Sequence, residues 1–172
     1  MIGAKGSKLI KHYESLHDGD LSMIGLQPKM CPAGIWTEGW GHAMVYQGRF
    51  LKGIKDKELA YKLARISDPN IDDEIEAENL FLEDVGMVEL VVNRRLKIKL
   101  NQDQLDALIS HVFNCGVSET LFKLINTKPL DSKEIKDWWE NKYITAGGVF
   151  LQGLKNRRLT EYKLFSTGIL NI

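Results

Sequence analysis

The glycines of residues 30–42 constrain the fold of this chain more than any other feature. The segment reads Met-Cys-Pro-Ala-Gly-Ile-Trp-Thr-Glu-Gly-Trp-Gly-His, and its three glycines, Gly34, Gly39 and Gly41, fall within eight positions. Glycine inside a strand weakens regular sheet packing, and it marks tight turns or places where the backbone approaches another group closely. We therefore expect a small, irregular sheet in this part of the chain, with reactive side chains held on turns.

The sequence on both sides of this sheet has a helical pattern. Apolar residues at helical spacing predict helices over 5–16, 56–66, 72–95, 118–125, 131–141 and 154–165. Asn101 and Gln104 predict a capping box for a further helix, which ends before Gly116. Asp131 with Glu134 is the predicted cap of the helix that follows it.

A second expectation concerns two tryptophans. Trp138 and Trp139 are adjacent in a predicted helix, and we expect that only one of them faces the core.

These patterns predict a mainly helical α+β protein with two lobes in a single domain of 172 residues. The small sheet lobe spans about 17–53, and the helical lobe spans about 1–16 and 54–172. Lys and Arg together number 23, as do Asp and Glu, so a nucleic-acid partner is not expected. The N-terminus has no apolar signal segment, and no apolar run approaches the roughly 20 residues of a membrane span. We therefore expect a chain that folds in a cytosol and does not insert stably into a membrane.

The two cysteines, Cys31 and Cys115, lie far apart in the sequence. In a reducing cytosol they are expected to be free thiols. With only four histidines, the chain shows no spacing typical of metal ligands. We expect no structural zinc.

Three side chains are candidates for chemistry. Glu14 is the only acid of the apolar N-terminal segment, near the end of its predicted helix. Desolvation favours the protonated form of a carboxyl group, which is the form that a general acid needs. It is an equally good interpretation that Glu14 is a solvated surface acid. Cys31 and Thr37 follow in the glycine-rich segment, where a hydroxyl can orient water and a thiol can act as base or nucleophile. Taken singly, both are also ordinary structural residues.

Together these residues form an ordered pattern. Glu14, then Cys31-x5-Thr37, then Gly39-Trp40-Gly41-His42 resembles the phage-type lysozymes, or endolysins, of glycoside hydrolase family 24. Two further blocks agree with that family. Its central helix is similar to Asn101-Gln102-x-Gln104-x-Asp106-Ala107-Leu108 leading to Phe113-Asn114-Cys115-Gly116. Its C-terminal block is similar to Gly153-Leu154-x3-Arg157-Arg158-x2-Glu161-x3-Phe165. The resemblance covers nearly the whole chain and implies a lysozyme-like two-lobed fold.

The resemblance also implies roles for the residues. Glu14 would donate a proton to the glycosidic oxygen, and Cys31 with Thr37 would activate and place the attacking water. His42 would support Glu14 by hydrogen bonding. Trp36 and Asn114 would bind substrate or support the site. The alternative for His42 is a satisfied structural histidine, and Trp36 can serve either as a core filler or as a flat platform against a sugar ring.

Two departures from the family pattern are visible. Sixteen residues separate Glu14 from Cys31, whereas the family usually has eight. The extra residues include Asp18 and Asp20, either of which could supply a second carboxylate, although both are typical of a turn beside Gly19. The second departure is the thiol itself, at a position where aspartate is commoner.

The function implied by the resemblance is that of a muramidase, which cleaves the β-1,4 bond between N-acetylmuramic acid and N-acetylglucosamine in peptidoglycan and lyses the host cell. It would need no metal and no cofactor. It would act as a monomer from the host cytoplasm, reaching the periplasm and cell wall with the help of a separate holin. The sequence leaves open a catalytically silent peptidoglycan-binding protein of the same fold, a lytic transglycosylase, and the choice between inverting and retaining stereochemistry.

Overall fold

The computed structural model describes residues 1–15, 28–31, 33–65 and 71–172. Asp18 and Asp20 lie outside the described residues. The helices are α1 (Ala4–Ser15), α2 (Lys57–Leu63), α3 (Ile71–Arg95), α4 (Gln102–Cys115), α5 (Glu119–Thr127), α6 (Lys133–Asn141) and α7 (Gln152–Thr167), with one 3₁₀ turn at Ile54–Asp56. The strands are β1 (Lys29–Met30), β2 (Trp36–Glu38), β3 (His42–Ala43), β4 (Val45–Tyr46), β5 (Arg49–Phe50), β6 (Thr145–Ala146) and β7 (Val149–Phe150).

The chain divides into two compact units, one of residues 11–84 and one of residues 1–10 with 85–172. The division falls within helices α1 and α3, so each of these helices contributes to both units. Among the described helices, none is both long enough and apolar enough to span a bilayer.

The unit of residues 11–84 contains the predicted small sheet. Strands β1, β2 and β3 pair antiparallel in that order, and β4 and β5 form a separate hairpin. Trp36, Met44, Leu51 and Ala60 form a buried apolar cluster beneath the sheet. The indole of Trp36 also donates a hydrogen bond from Nε1 to the carbonyl of Gly53 at 2.8 Å. The sheet therefore has its own small core, which holds the glycine-rich turns in place.

The helical unit is built around a buried ionic network between α4 and α7. Glu161 is fully buried, and its carboxylate accepts hydrogen bonds from Ser110 Oγ at 2.8 Å, Arg158 Nη2 at 2.8 Å and Arg157 Nε at 3.2 Å. Burial alone raises the pKa of Glu161, but Arg158, His111 and Arg157 outweigh it and hold that pKa at about 2. A buried carboxylate is tolerated where its oxygens are paired in this way. The C-terminal block recognised in the sequence is thus a structural core.

The expectation for the tryptophan pair was wrong, because Trp138 and Trp139 are both buried. Adjacent positions on a helix point about 100° apart, and α6 packs against both α5 and α7. Trp138 lies against His111 with ring centroids 5.2 Å apart, while Trp139 lies against Phe165 at 5.0 Å. A helix that is covered on two sides can bury both residues.

Several local predictions are confirmed. The capping box is present, since Asn101 Oδ1 accepts from the backbone N–H of Gln104 at 2.9 Å and Gln104 Oε1 accepts from the N–H of Asn101 at 3.0 Å. Gly116 follows α4 with a φ of 72°. Both cysteines are free.

Other local predictions were wrong. The cap of α6 is Ser132 instead of Asp131, because the Ser132 hydroxyl accepts from the N–H of Ile135. The helix predicted over 56–66 starts as a 3₁₀ turn and ends at Leu63. The hairpin β6–β7 was missed, because Gly147 and Gly148 were interpreted only as a break between helices.

The start of α1 is fixed by a carboxylate from α4. Asp106 is 1% exposed, and its oxygens accept hydrogen bonds from the backbone N–H groups of Gly3 at 2.8 Å and Gly6 at 2.9 Å. Gln102 Nε2 donates to the same carboxylate at 2.7 Å. The first N–H groups of a helix lack partners within the helix, and the helix dipole favours a negative charge at this end. Asp106 therefore supplies the cap that the N-terminal sequence lacks.

We expect Asp106→Ala to lower the free energy of unfolding by about 2 to 4 kcal/mol, because it leaves buried donors without an acceptor. Chemical denaturation followed by circular dichroism measures this change. Asp103→Ala on the same helix is the matched control. It removes a partly exposed ion pair with Lys5 and a first-turn acid of α4, and should cost less than about 1 kcal/mol. Equal losses in the two variants would contradict the capping role of Asp106.

Candidate active site

The carboxyl group of Glu14 lies against the backbone of Gly41. A Cβ atom built on Gly41 would come within 3.1 Å of Glu14 Oε2 and 3.6 Å of Glu14 Cδ. Gly41 also has a φ of 89°, a conformation that side chains disfavour. Only glycine meets both conditions without strain. The glycine-rich turn therefore brings α1, which carries Glu14, into direct contact with the start of β3.

Cys31 and Thr37 share one face of the β1–β2 hairpin. Lys29 pairs with Thr37 and Met30 with Trp36, and the N–H of Cys31 donates to the carbonyl of Ile35 at 2.8 Å. Since side chains alternate between the faces of a strand, the register places Cys31 and Thr37 on the same side as diagonal neighbours. Both side chains are partly exposed. The thiol and the hydroxyl singled out by the sequence are therefore neighbours on one surface.

The hydroxyl of Thr37 has a defined orientation. Its Oγ1 donates a hydrogen bond to the carbonyl of Lys29 at 3.2 Å. Because the proton is committed to that carbonyl, the oxygen lone pairs face away from it and can accept a hydrogen bond from a water molecule. This is the capacity required of a residue that orients water.

Trp36 lies on the opposite face of the same strand. It is 7% exposed and belongs to the core cluster of the sheet. Glu38, two residues later, is also buried, and its Oε2 accepts from the backbone N–H of Arg65 at 2.8 Å. Of the two roles expected for Trp36, the burial favours support of the site over contact with a sugar ring.

His42 is paired with a carboxylate that the sequence analysis did not single out. Its Nδ1 lies 3.0 and 3.1 Å from the two oxygens of Asp84, on α3. The hydrogen bond with Asp84 raises the pKa of His42 above its usual 6.5, although burial opposes this shift. The pair joins β3 to α3, and the expected hydrogen bond from His42 to Glu14 stays a prediction.

Asp84 could have been found from its position in the sequence. It lies between Leu80 and Val88 at i, i+4 spacing, on the apolar stripe of α3. A carboxylate on such a stripe needs a partner. The sequence contains no signal that the partner is His42, since 42 residues separate the two.

Asn114 belongs to the helical unit, at the end of α4. Its Oδ1 accepts hydrogen bonds from Arg158 Nη2 at 3.1 Å and from the Cys115 thiol at 3.3 Å. Arg158 Nη1 also donates to Cys115 Sγ. These contacts extend the buried network of Glu161 to the C-terminus of α4, so Asn114 supports the fold of this unit.

The His42–Asp84 pair should make stability depend on pH. Because the folded protein binds the His42 proton more tightly than the unfolded chain, the pair stabilises the fold below about pH 6.5, and this contribution is lost as the pH rises through the raised pKa. We expect Asp84→Asn to lower the free energy of unfolding by about 1 to 2 kcal/mol near pH 5.5, and by much less near pH 9. Urea denaturation at both pH values measures the difference.

Asp137→Asn is the matched control for this experiment. Asp137 is exposed, and its side chain makes no ion pair with any described residue. The control should have no pH-dependent effect on stability. A loss in Asp84→Asn that is the same at both pH values would mean that the charge of His42 is not involved.

The chain is similar to known proteins over most of its length. The family described as Phage lysozyme matches residues 22–161, a range that begins after Glu14. An endolysin of Acyrthosiphon pisum secondary endosymbiont phage 1 is 31% identical over 175 residues, which cover 96% of this chain and 98% of that relative. An endolysin of Bacillus phage PZA is 36% identical over 99 residues, covering 54% of this chain and 36% of that relative.

Solved structures show the same fold. An endolysin from Escherichia coli O157:H7 phage FAHEc1 matches with a TM-score of 0.71 and 25% identity, covering 100% of this chain and 97% of that one. A point mutant of P22 lysozyme matches with a TM-score of 0.66 and 24% identity, covering 96% of this chain and 97% of that one, which is evidence for the fold alone. The lysozyme-like fold and the glycoside hydrolase class expected from the sequence are confirmed. The chain belongs to the phage lysozyme family.

Proposed function

We propose that this chain is an endolysin muramidase that hydrolyses the β-1,4 bond between N-acetylmuramic acid and N-acetylglucosamine in peptidoglycan. Membership of the phage lysozyme family supports a lytic glycoside hydrolase. The observation that carries the finer proposal is the contact between the Glu14 carboxyl group and Gly41. It joins the single carboxylate of α1 to the turn whose motif first suggested the family.

Glu14 is the proposed proton donor. Glycosidases protonate the leaving oxygen with one group, while a second group attacks or activates water on the other side of the sugar. Glu14 is partly buried, and its carboxyl group is held against backbone that carries no side chain. A proton donor fixed in this way loses little orientational freedom when the substrate binds.

Cys31 and Thr37 are the proposed water-activating pair. They share one face of the hairpin, and the oriented hydroxyl of Thr37 can accept a hydrogen bond from water. The neighbouring thiol would take the water proton when it is ionised. No step of this mechanism needs a metal or a cofactor.

We also propose where the enzyme acts. The enzyme would act as a monomer and would be held in the host cytoplasm until a separate holin gives it access to the periplasm and the cell wall. Peptidoglycan is the substrate class on which endolysins act. The curated relatives include endolysins of other phages, which supports a role in host lysis.

The first test is Glu14→Gln, which keeps the shape of the side chain but removes the acid. We expect its lysis rate to fall by about 10²- to 10⁴-fold, because general acid catalysis contributes a factor of this size. Turbidity of outer-membrane-permeabilised Gram-negative cells measures lysis. Glu58→Gln is the matched control, since Glu58 is exposed on α2 and makes no ion pair with any described residue. Undiminished lysis by Glu14→Gln would remove this residue from its role.

Product analysis in the same assay separates the reaction classes. Hydrolysis leaves a reducing N-acetylmuramic acid end, whereas a lytic transglycosylase leaves an anhydro end that is lighter by one water. Mass spectrometry of the released fragments distinguishes the two. Binding to peptidoglycan without released fragments would indicate a silent binding protein and would overturn the proposal.

The second test is Cys31→Asp. An ordinary aspartate ionises near pH 3.9 and an ordinary thiol near pH 8.5, so a base at position 31 should act at lower pH in the variant. We expect the maximum of the pH–rate profile to move downward by about one unit or more. The rate of fragment release, measured between about pH 4 and pH 9, gives the profile.

Cys31→Ser provides the control, because it retains a small polar group that does not ionise in this range. We expect a lower rate without a downward shift of the maximum. A profile that is unchanged in Cys31→Asp would exclude Cys31 as the base.

A further inference from the structure

Lys11 lies on α1 in a site made by two aromatic rings and a carboxylate. Its Nζ is 4.9 Å from the ring centroid of Phe81 and 5.4 Å from that of Trp40. The same ammonium forms an ion pair with Glu78. The Lys11 side chain is 26% exposed and that of Glu78 is 43% exposed, so the ion pair is partly removed from water. We call Lys11, Trp40, Glu78 and Phe81 the ammonium cluster.

This cluster joins the glycine-rich turn to two helices. Glu78 and Phe81 belong to α3, and Trp40 also packs against Ala77 and Leu80 of that helix. Lys11 belongs to α1 and precedes Glu14 by three positions, which places both side chains on one face of the helix. The ammonium group thus contacts the turn and α3 from the same face of α1 that carries the proposed acid.

Three consecutive residues, the last two of the turn and the first of β3, have separate partners. Trp40 contacts Lys11, Gly41 contacts the Glu14 carboxyl group, and His42 binds Asp84. Packing of the Trp40 indole against Lys11, Ala77 and Leu80 restricts the position of the Trp40 backbone, to which Gly41 is joined by the next peptide bond. The contact between Gly41 and Glu14 therefore depends on what holds Trp40.

We propose that Lys11 is a positioning residue for Glu14, which acts by holding Trp40 so that Gly41 stays against the Glu14 carboxyl group. This inference rests on the proposed function of Glu14 as the acid. The attraction of a cation to two aromatic faces and a carboxylate depends on their orientation, whereas the packing of an apolar side chain depends on it much less. Its loss also leaves the carboxylate of Glu78 without this cation.

The test compares Lys11→Met with Lys11→Arg. Methionine fills a similar volume without the charge, whereas arginine keeps the charge and stacks well on aromatic rings. We expect Lys11→Met to lower kcat by about 10- to 100-fold, since a misplaced catalytic group has an effect of this size. KM should change by less than about twofold, because Lys11 positions the acid and does not hold the sugar. Lys11→Arg should restore most of kcat.

Lys8→Met is the matched control. Lys8 lies one turn earlier on α1, and its exposed side chain has no ion pair or hydrogen bond with any described residue. It should leave kcat and KM unchanged. A Lys11→Met variant that folds and keeps kcat within about twofold of the parent would overturn the inference, as would a loss of kcat that Lys11→Arg does not restore.

A double-mutant cycle tests the route through Trp40. Trp40→Leu removes one ring and should lower kcat, while Trp40→Phe keeps a ring and should lower it less. If Lys11 acts through Trp40, adding Lys11→Met to Trp40→Leu should lower kcat further by less than about twofold. Independent, multiplicative losses would contradict this route. If Lys11→Met does not fold, the two Trp40 variants still test the inference. Equal losses of kcat in Trp40→Leu and Trp40→Phe would overturn the role of the ring.

Failure of this inference can be told apart from failure of the proposed function. The parent and Glu14→Gln are measured in the same fragment-release assay. If the parent releases fragments and Glu14→Gln does not, a normal Lys11→Met excludes only the role of Lys11. If the parent releases none, the proposed function itself fails.

Discussion

The close approach of the Glu14 carboxyl group to Gly41 is the constraint on which the candidate site depends. The carboxyl oxygen occupies the space where a side chain of residue 41 would begin. The turn that allows this approach has a positive φ at Gly41, so it is open to glycine and closed to nearly every other residue. The residues on either side then connect the turn to its surroundings, Trp40 through Lys11 and His42 through Asp84. Side chains from two helices, Lys11 of α1 and Asp84 of α3, therefore hold the two ends of this approach.

Alternation along a very short strand separates structural from chemical side chains. Trp36 and Glu38 of β2 are buried and anchor the strand, whereas Thr37 between them is partly exposed. The register with β1 adds Cys31 to the face of Thr37. A shift of one residue would exchange the two sets. The buried Trp36, with its hydrogen bond to Gly53, therefore fixes which face presents the hydroxyl and the thiol.

In the helical unit, buried carboxylates anchor helices, as buried Trp36 and Glu38 anchor strand β2. Glu161 and Asp106 are both buried, and each oxygen of the two carboxylates accepts at least one hydrogen bond. Such groups are tolerated only while they remain fully paired, because a buried charge without a partner is strongly destabilising. Glu161 joins α7 to α4, and Asp106 joins the start of α1 to α4. The polar contacts thus determine which helices meet, while the apolar stripes supply the general driving force.

The sequence by itself named Glu14, Cys31, Thr37 and His42 as candidate site residues, whose roles stay predictions. It also determined the fold class, the order of the helices and the capping box at Asn101. These are set by local spacing and turn chemistry, which act within a few residues. Only the tertiary structure decided that Asp84 binds His42 and that Lys11 lies between Trp40 and Phe81. It also decided that both Trp138 and Trp139 are buried. The partners in these contacts come from different elements, and no local pattern encodes which distant side chain completes a hydrogen bond or covers a helix face.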